Sequence, residues 1–188
     1  MIVFLLELDL FKKIYICLIH LFLVKMGDKK EKEKKLEELT PEDAILILLY
    51  ANKNKPITGK LMFVKQAFLL AKELIPQLDK KFKFYPANFG PYSKVFAKEV
   101  NKLIEKGIIK LEVKTEGGKE IFRFRLSEDA IEKARQSFNK LPNELKFKII
   151  RKRKGWDQLG YTGIVRFVYT KYPEYTIYSE IKGDIDGN

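Results

Sequence analysis

Cysteine and histidine each occur once in this 188-residue chain, as Cys17 and His20, so everything after Lys25 lacks both. Their absence removes cysteine nucleophiles, histidine bases, structural disulfides and the usual zinc ligand sets from the bulk of the chain. The longest apolar run is short as well, since Glu7, Asp9, Lys12 and Lys13 confine it to Ile14–Val24. A membrane-spanning helix needs about 20 apolar residues. Lys12-Lys13 ahead of that run has the look of a signal peptide, yet no small-residue cleavage site precedes the charged stretch from Gly27 to Glu38. No internal repeat is present, and the only low-complexity tract is the charged run from Lys29 to Glu38.

Several ligand motifs are incomplete. Gly59-Lys60 lacks both the glycine five residues earlier and the following Ser or Thr of a phosphate loop. Asp184-Ile185-Asp186-Gly187 begins like a calcium loop, but the sequence ends at Asn188, before a closing Glu. Glu112-Val113-Lys114 has the acid-x-Lys form of a metal-dependent nuclease half-site. Such a site needs a second acid on a neighbouring element, and the acids between Asp79 and Glu112 are Glu99 and Glu105, both on a predicted helix. No enzyme, metal or cofactor is expected.

What the chain has in excess is positive charge. Lys and Arg total 37 against 25 acidic residues, a net charge of +12, which favours a polyanionic partner such as nucleic acid or an anionic membrane surface. A lysine-rich surface that only keeps the protein soluble is the plain alternative. Hydrophobic residues make up 46% and aromatics 13%, enough for one folded domain with appendages. Abundant Lys, Glu and Ile with little Gln resemble a thermophile's composition. Residues 1–25 read as an over-extended start or loosely packed appendage, with translation beginning at Met26. A membrane-associated anchor is the competing reading. A cytoplasmic protein without a membrane partner is expected if Met26 is the start. Residues 1–25 contribute only one net charge, three Lys against Glu7 and Asp9, so the basic character belongs to the remainder.

The segmentation rests on caps and periodicity. Residues 26–39 form a charged lead-in. Thr40-Pro41-Glu42-Asp43 opens a helix that ends by Asn52–Pro56. Ile57-Thr58 reads as a short strand. Lys60–Ile75 reads as a second helix, with Leu61, Val64, Phe68, Ala71 and Ile75 on one stripe and Lys65, Gln66 and Lys72 opposite. Gln77–Phe89 reads as a linker whose Phe82, Phe84, Tyr85 and Phe89 plug the space between helices. Gly90-Pro91 starts a third helix ending at Gly107. Lys94, Lys98, Asn101, Lys102 and Glu105 share its polar face, and Val95, Phe96, Val100, Leu103 and Ile104 its apolar face. Alternating strands then flank Gly117-Gly118: Ile109, Leu111 and Val113 on one side, Phe122, Phe124 and Leu126 on the other. Ser127 caps a fourth helix to Lys140, Pro142 opens a fifth that Gly155 breaks, and a last helix runs from Leu159 to Lys171. The expected fold is α+β and mostly helical: a winged helix-turn-helix over 40–126, a helical C-terminal extension over 127–182, and a loose tail over 183–188.

Gly59–Leu70 taken together with Phe84–Ser93 resembles the prokaryotic winged-helix proteins related to Panacea-type antitoxin domains, over roughly Ile57 to Ile109. Those proteins pair such a helix with an aromatic-Gly-Pro turn. Ala87 stands where that pattern usually has Trp, which favours the looser archaeal and bacterial relatives. The resemblance implies a DNA-binding or partner-binding regulator with no chemistry of its own.

The candidate contacts to double-stranded DNA fall into three groups. Ser93, Lys94, Lys98, Asn101 and Lys102 face a groove, where Asn can read adenine and lysines hold phosphate. Lys114, Lys119, Arg123 and Arg125 on the wing reach flanking phosphates or the minor groove. Lys146–Lys154 holds six positive residues in nine with no interleaved acid, which puts Arg151, Lys152 and Arg153 among the phosphate contacts. Each set has a plain alternative, an ordinary solvated helix or hairpin face. The aromatic C-terminus, Trp156 to Tyr178, suits core or a homodimer interface. A protein-interaction module that neutralises or scaffolds a partner protein, as an antitoxin does, is the second reading.

Overall fold

The computed structural model of the protein describes residues 20–22, 26–27 and 30–181. Cys17, most of the Ile14–Val24 run and the tail from Lys182, with its calcium-loop echo, lie outside the described residues. The chain divides into two compact units, Met1–Lys35 and Leu36–Asn188. In the first, residues 30–35 are helical and carry an exposed Lys35–Glu31 ion pair of 2.7 Å. Among the described residues no helix is long and apolar enough to cross a membrane.

The second unit is α+β and mostly helical, with two small antiparallel sheets. Helix α1 (Pro41–Tyr50) is its axis. A capping box starts it: Asp43 N donates to Thr40 Oγ1, and Thr40 N donates to the Asp43 carboxylate, each at 3.0 Å. Ala44 to Leu49 are then all fully buried, the pattern of a helix apolar on every side and enclosed by its neighbours. Strand β1 (Ile57–Thr58) comes next, then α2 (Lys60–Leu69), which runs on through a π-helical turn, Leu70–Leu74. Lys65 and Gln66, expected on an exposed face, are fully buried.

Gln77–Phe82 forms helix α3 where a linker was expected. Leu78 and Phe82 lie four residues apart, and both are fully buried, so one apolar stripe makes helix the better state. Gly90-Pro91 does not open the next helix. Strands β2 (Tyr85–Ala87) and β3 (Gly90–Tyr92) pair antiparallel, Tyr85 opposite Tyr92. Helix α4 (Lys94–Glu105) starts only at Ser93, whose Oγ accepts from Phe96 N at 3.0 Å.

The hairpin of β4 (Ile109–Glu116) and β5 (Lys119–Leu126) turns at Gly117-Gly118, where both φ angles are positive, 57° and 76°, as a two-residue hairpin turn requires. β1 pairs with β5, Ile57 opposite Phe124, giving the order β1-β5-β4. Residues 128–130 are a 3₁₀ turn rather than a capped helix start, and α5 (Ile131–Asn139) comes after it. α6 (Asn143–Lys171) passes through Gly155 and breaks at Gly160 instead, at φ 65° and ψ −171°. Arg153, Trp156 and Asp157 straddle Gly155 and anchor inward, so helix continues there. Tyr172 and Tyr175 close edge-on over Phe68, with centroids 5.0 and 4.8 Å away, and Trp156 and Tyr169 are buried. Tyr161 and Tyr178 stay exposed. Glu73, in the π turn, receives Lys152 at 2.9 Å and Lys171 at 2.7 Å, one from each half of α6.

Asp43 links α1 to α5 through Ser137 and Lys140, both at 2.7 Å. Burial opposes its ionisation, but the hydrogen bonds from Lys140, Ser137 and Thr40 outweigh burial and hold its pKa at about 2, against 3.8 normally. The folded state therefore binds fewer protons than the unfolded chain as pH falls through that window. This stabilisation is complete above the unfolded value and disappears as pH drops toward about 2. Asp43→Asn should cost about 2 kcal/mol at neutral pH, and urea titrations should show wild type and variant converging from about pH 4 downward.

Candidate nucleic-acid interface

Helix α4 presents two different faces. Phe96, Val100 and Leu103 are buried, and Phe96 meets Phe63 at 5.1 Å and Phe82 at 5.8 Å, both T-shaped. The opposite face is exposed, and Lys94, Lys98, Asn101, Lys102 and Glu105 share a shallow depression with Tyr92. Lys102 is braced by Glu99 at 3.0 Å. Ser93, by contrast, is fully buried. Its Oγ donates to the carbonyl of Phe82 while accepting from Phe96 N, so its role is to cap α4 and tie it to α3, and it makes no outward contact.

The hairpin supplies a second group. Lys114 and Lys119 are exposed toward the turn. Glu112 is engaged by Arg125 Nε at 2.7 Å, and that hydrogen bond, with the charges of Arg125, Lys114 and Arg123, lowers the Glu112 pKa. Arg125 is thus committed across the hairpin. Arg123 has its Nε buried with no hydrogen-bond partner among the described residues, so that donor is shielded within the hairpin and is not itself presented to an outside phosphate.

The basic run of α6 is not one solvated face. Lys152 is drawn to Glu73, Lys148 to Glu144 at 2.6 Å and Lys146 to Asn139 at 3.3 Å. Arg153 is fully buried, donating to the carbonyls of Leu48 and Lys55 at 3.2 Å each and pairing with Asp157. Burial lowers its pKa to about 10. Arg153 therefore leaves the set of DNA contacts, and Lys152 is committed within the fold. Arg151 and Lys154 are exposed, with no ion-pair partner among the described residues.

Two features escaped the sequence reading. The expected aromatic plug is split: Phe82 is buried and Phe84 packs on it, but Tyr85 and Phe89 are exposed by 37 and 49%, as is the neighbouring Tyr92 by 36%. Four aromatics in eight residues signalled the cluster without saying which rings point outward. The second is Lys65, whose buried Nζ donates to the carbonyls of Phe89 and, at 3.2 Å, Pro91. Gly90 between them has φ 79°, and a Cβ there would lie 2.7 Å from Tyr169 Cε1 and 3.1 Å from Lys65 Nζ. The turn before α4 is thus seated on a buried amine.

No family model matches the chain, and no curated protein is similar to it.

Burial lowers the Lys65 pKa from 10.5 to about 7. Between these values the unfolded chain binds the proton that the folded protein lacks. The contribution of Lys65 to stability therefore rises as pH increases from about 7 toward 10. A neutral amine still offers two N–H groups for its two carbonyls. Stability measured against pH should show this rise in wild type and lose it in Lys65→Met. Gly90→Ala should destabilise by several kcal/mol in the same assay, because positive φ combines with a clash against the buried Tyr169 ring.

Proposed function

We propose that this protein binds duplex DNA through a winged helix and acts as a regulator of transcription, without catalysis. The single observation that carries this reading is helix α4. Its apolar face is locked into the core, its other face displays Lys94, Lys98, Asn101 and Lys102, and a basic hairpin comes directly after it. Lysines at helical spacing neutralise successive phosphates, and an asparagine among them can take the donor and acceptor of an adenine edge. The strand order β1-β5-β4 supports a wing: a two-residue strand ahead of α2 ties the base of the hairpin to the helices, leaving its far end with Lys114 and Lys119 free to reach a neighbouring groove. Arg123 and Arg151 add candidate phosphate contacts, while Arg125, Lys152 and Arg153 stabilise the fold.

Fluorescence anisotropy with a labelled duplex from the protein's own upstream region, and with a scrambled duplex, tests the proposal. Tight binding that weakens steeply with salt is expected, with Lys94→Glu/Lys98→Glu/Lys102→Glu losing about 100-fold or more. Lys98→Ala alone should weaken both duplexes equally and lower the salt slope by about one. Asn101→Ala should instead reduce the difference between them. Absence of binding to either duplex at low salt would sink the reading and turn attention to a protein held by the same helix.

A further inference from the structure

Beside the start of α4 lies an open cavity of about 650 Å³, a volume that suits a drug-sized organic molecule. Its walls come from three parts of the chain: Leu61 and Val64 of α2, the rings of Tyr85, Phe89 and Tyr92 on and between β2 and β3, and Tyr161 just past the break in α6. These rings are held outward rather than folded in, Phe89 at 49% and Tyr161 at 54% exposure, so apolar area stays in contact with water unless something covers it. The floor cannot collapse to cover them. Lys65 pins the carbonyls on either side of Gly90, and Gly90 itself sits against Tyr169.

One charged side chain lines this cavity, Lys60 in the first turn of α2. Its ammonium rests 3.7 Å from the centroid of the Phe122 ring, and no carboxylate pairs with it among the described residues. Asn88, whose amide also lines it, already donates to the Glu180 carboxylate. Aromatic walls with a single unpaired cation at the lip select an apolar monoanion: the rings supply stacking and desolvation, the ammonium supplies orientation.

We propose that this cavity binds a planar aromatic carboxylate, its rings among Tyr85, Phe89, Tyr92 and Tyr161 and its carboxylate on Lys60. Occupancy is coupled to helix α4, because Tyr92 walls both the cavity and the basic depression, and the next residue, Ser93, is the α4 cap. That coupling rests on the DNA-binding reading; the binding site does not.

The test titrates the full chain with pyrene-1-carboxylate and with the uncharged pyrene-1-carboxamide, following pyrene fluorescence anisotropy. One saturable site is expected, at least about tenfold tighter for the carboxylate, with the preference lost in Lys60→Met and binding of both ligands weakened by Val64→Trp, which puts a bulky ring into the cavity. Equal affinity for the two pyrenes, or undiminished binding to Val64→Trp, overturns the proposal. Circular dichroism checks folding of each variant; should Val64→Trp not fold, Tyr161→Ala removes an exposed wall, and binding that it leaves unchanged overturns the proposal equally. In a second arm, saturating pyrene-1-carboxylate should shift the affinity for the upstream duplex, and the duplex should shift pyrene binding by the same factor. Unchanged DNA affinity removes the coupling. A protein that takes the carboxylate but no duplex defeats the DNA reading and leaves the cavity site standing.

Discussion

The buried pair of Arg153 and Asp157 holds the larger unit together. A guanidinium sealed from water is costly unless acceptors offset its burial, and the elements around Arg153 supply three. Leu48 offers a carbonyl from the last turn of α1, where no intrahelical donor remains. Lys55 offers another from the turn after that helix. Asp157 sits one helical turn further along α6, and its two oxygens also take Asn52 at 2.7 Å and Gln66 at 3.0 Å. Four segments are thereby fixed through one charge. The position of α2 is set by the same pair, and with it the ring of Phe63, against which α4 and β5 both pack.

That constraint explains why the outward face of α4 is well defined. The helix is held by aromatic contacts along one side and by Ser93 at its start. Its exposed lysines therefore stand on a rigid support, which lowers the entropic cost of placing them against a rigid partner. Rigidity continues into the segment just before the helix, where a buried amine and a side-chain-free residue fix the path of the main chain. The exposed rings around that segment are consequently a surface with a set shape.

Much of this was legible in the sequence. Thr40 and Pro41 marked the start of α1, the two faces of α4 emerged from spacing, and Gly117-Gly118 marked the turn between alternating strands. The misplaced residues share a cause: residue types were read by their usual habits. Lysine and arginine are nearly always solvated, so Lys65 and Arg153 were placed outside, although only tertiary contacts could reveal their carbonyl and carboxylate partners. A proline after glycine suggested a helix start, yet the cap two residues later decided it. Gly155 and Gly160 are equivalent by composition. The anchors on both sides of the first, Arg153, Trp156 and Asp157, decide which one breaks the helix.

The π turn, Leu70–Leu74, is where the helix begun by α2 ends: Ile75 N donates to the Leu70 carbonyl five residues back, and Ile75 itself leaves helical geometry at φ −135°. Taking one extra residue into that last turn rotates the residues at its end by up to about 100° relative to a regular helix. Glu73 then reaches the seam between the two halves of α6, and a single carboxylate spans a discontinuity that the helix backbone itself leaves open.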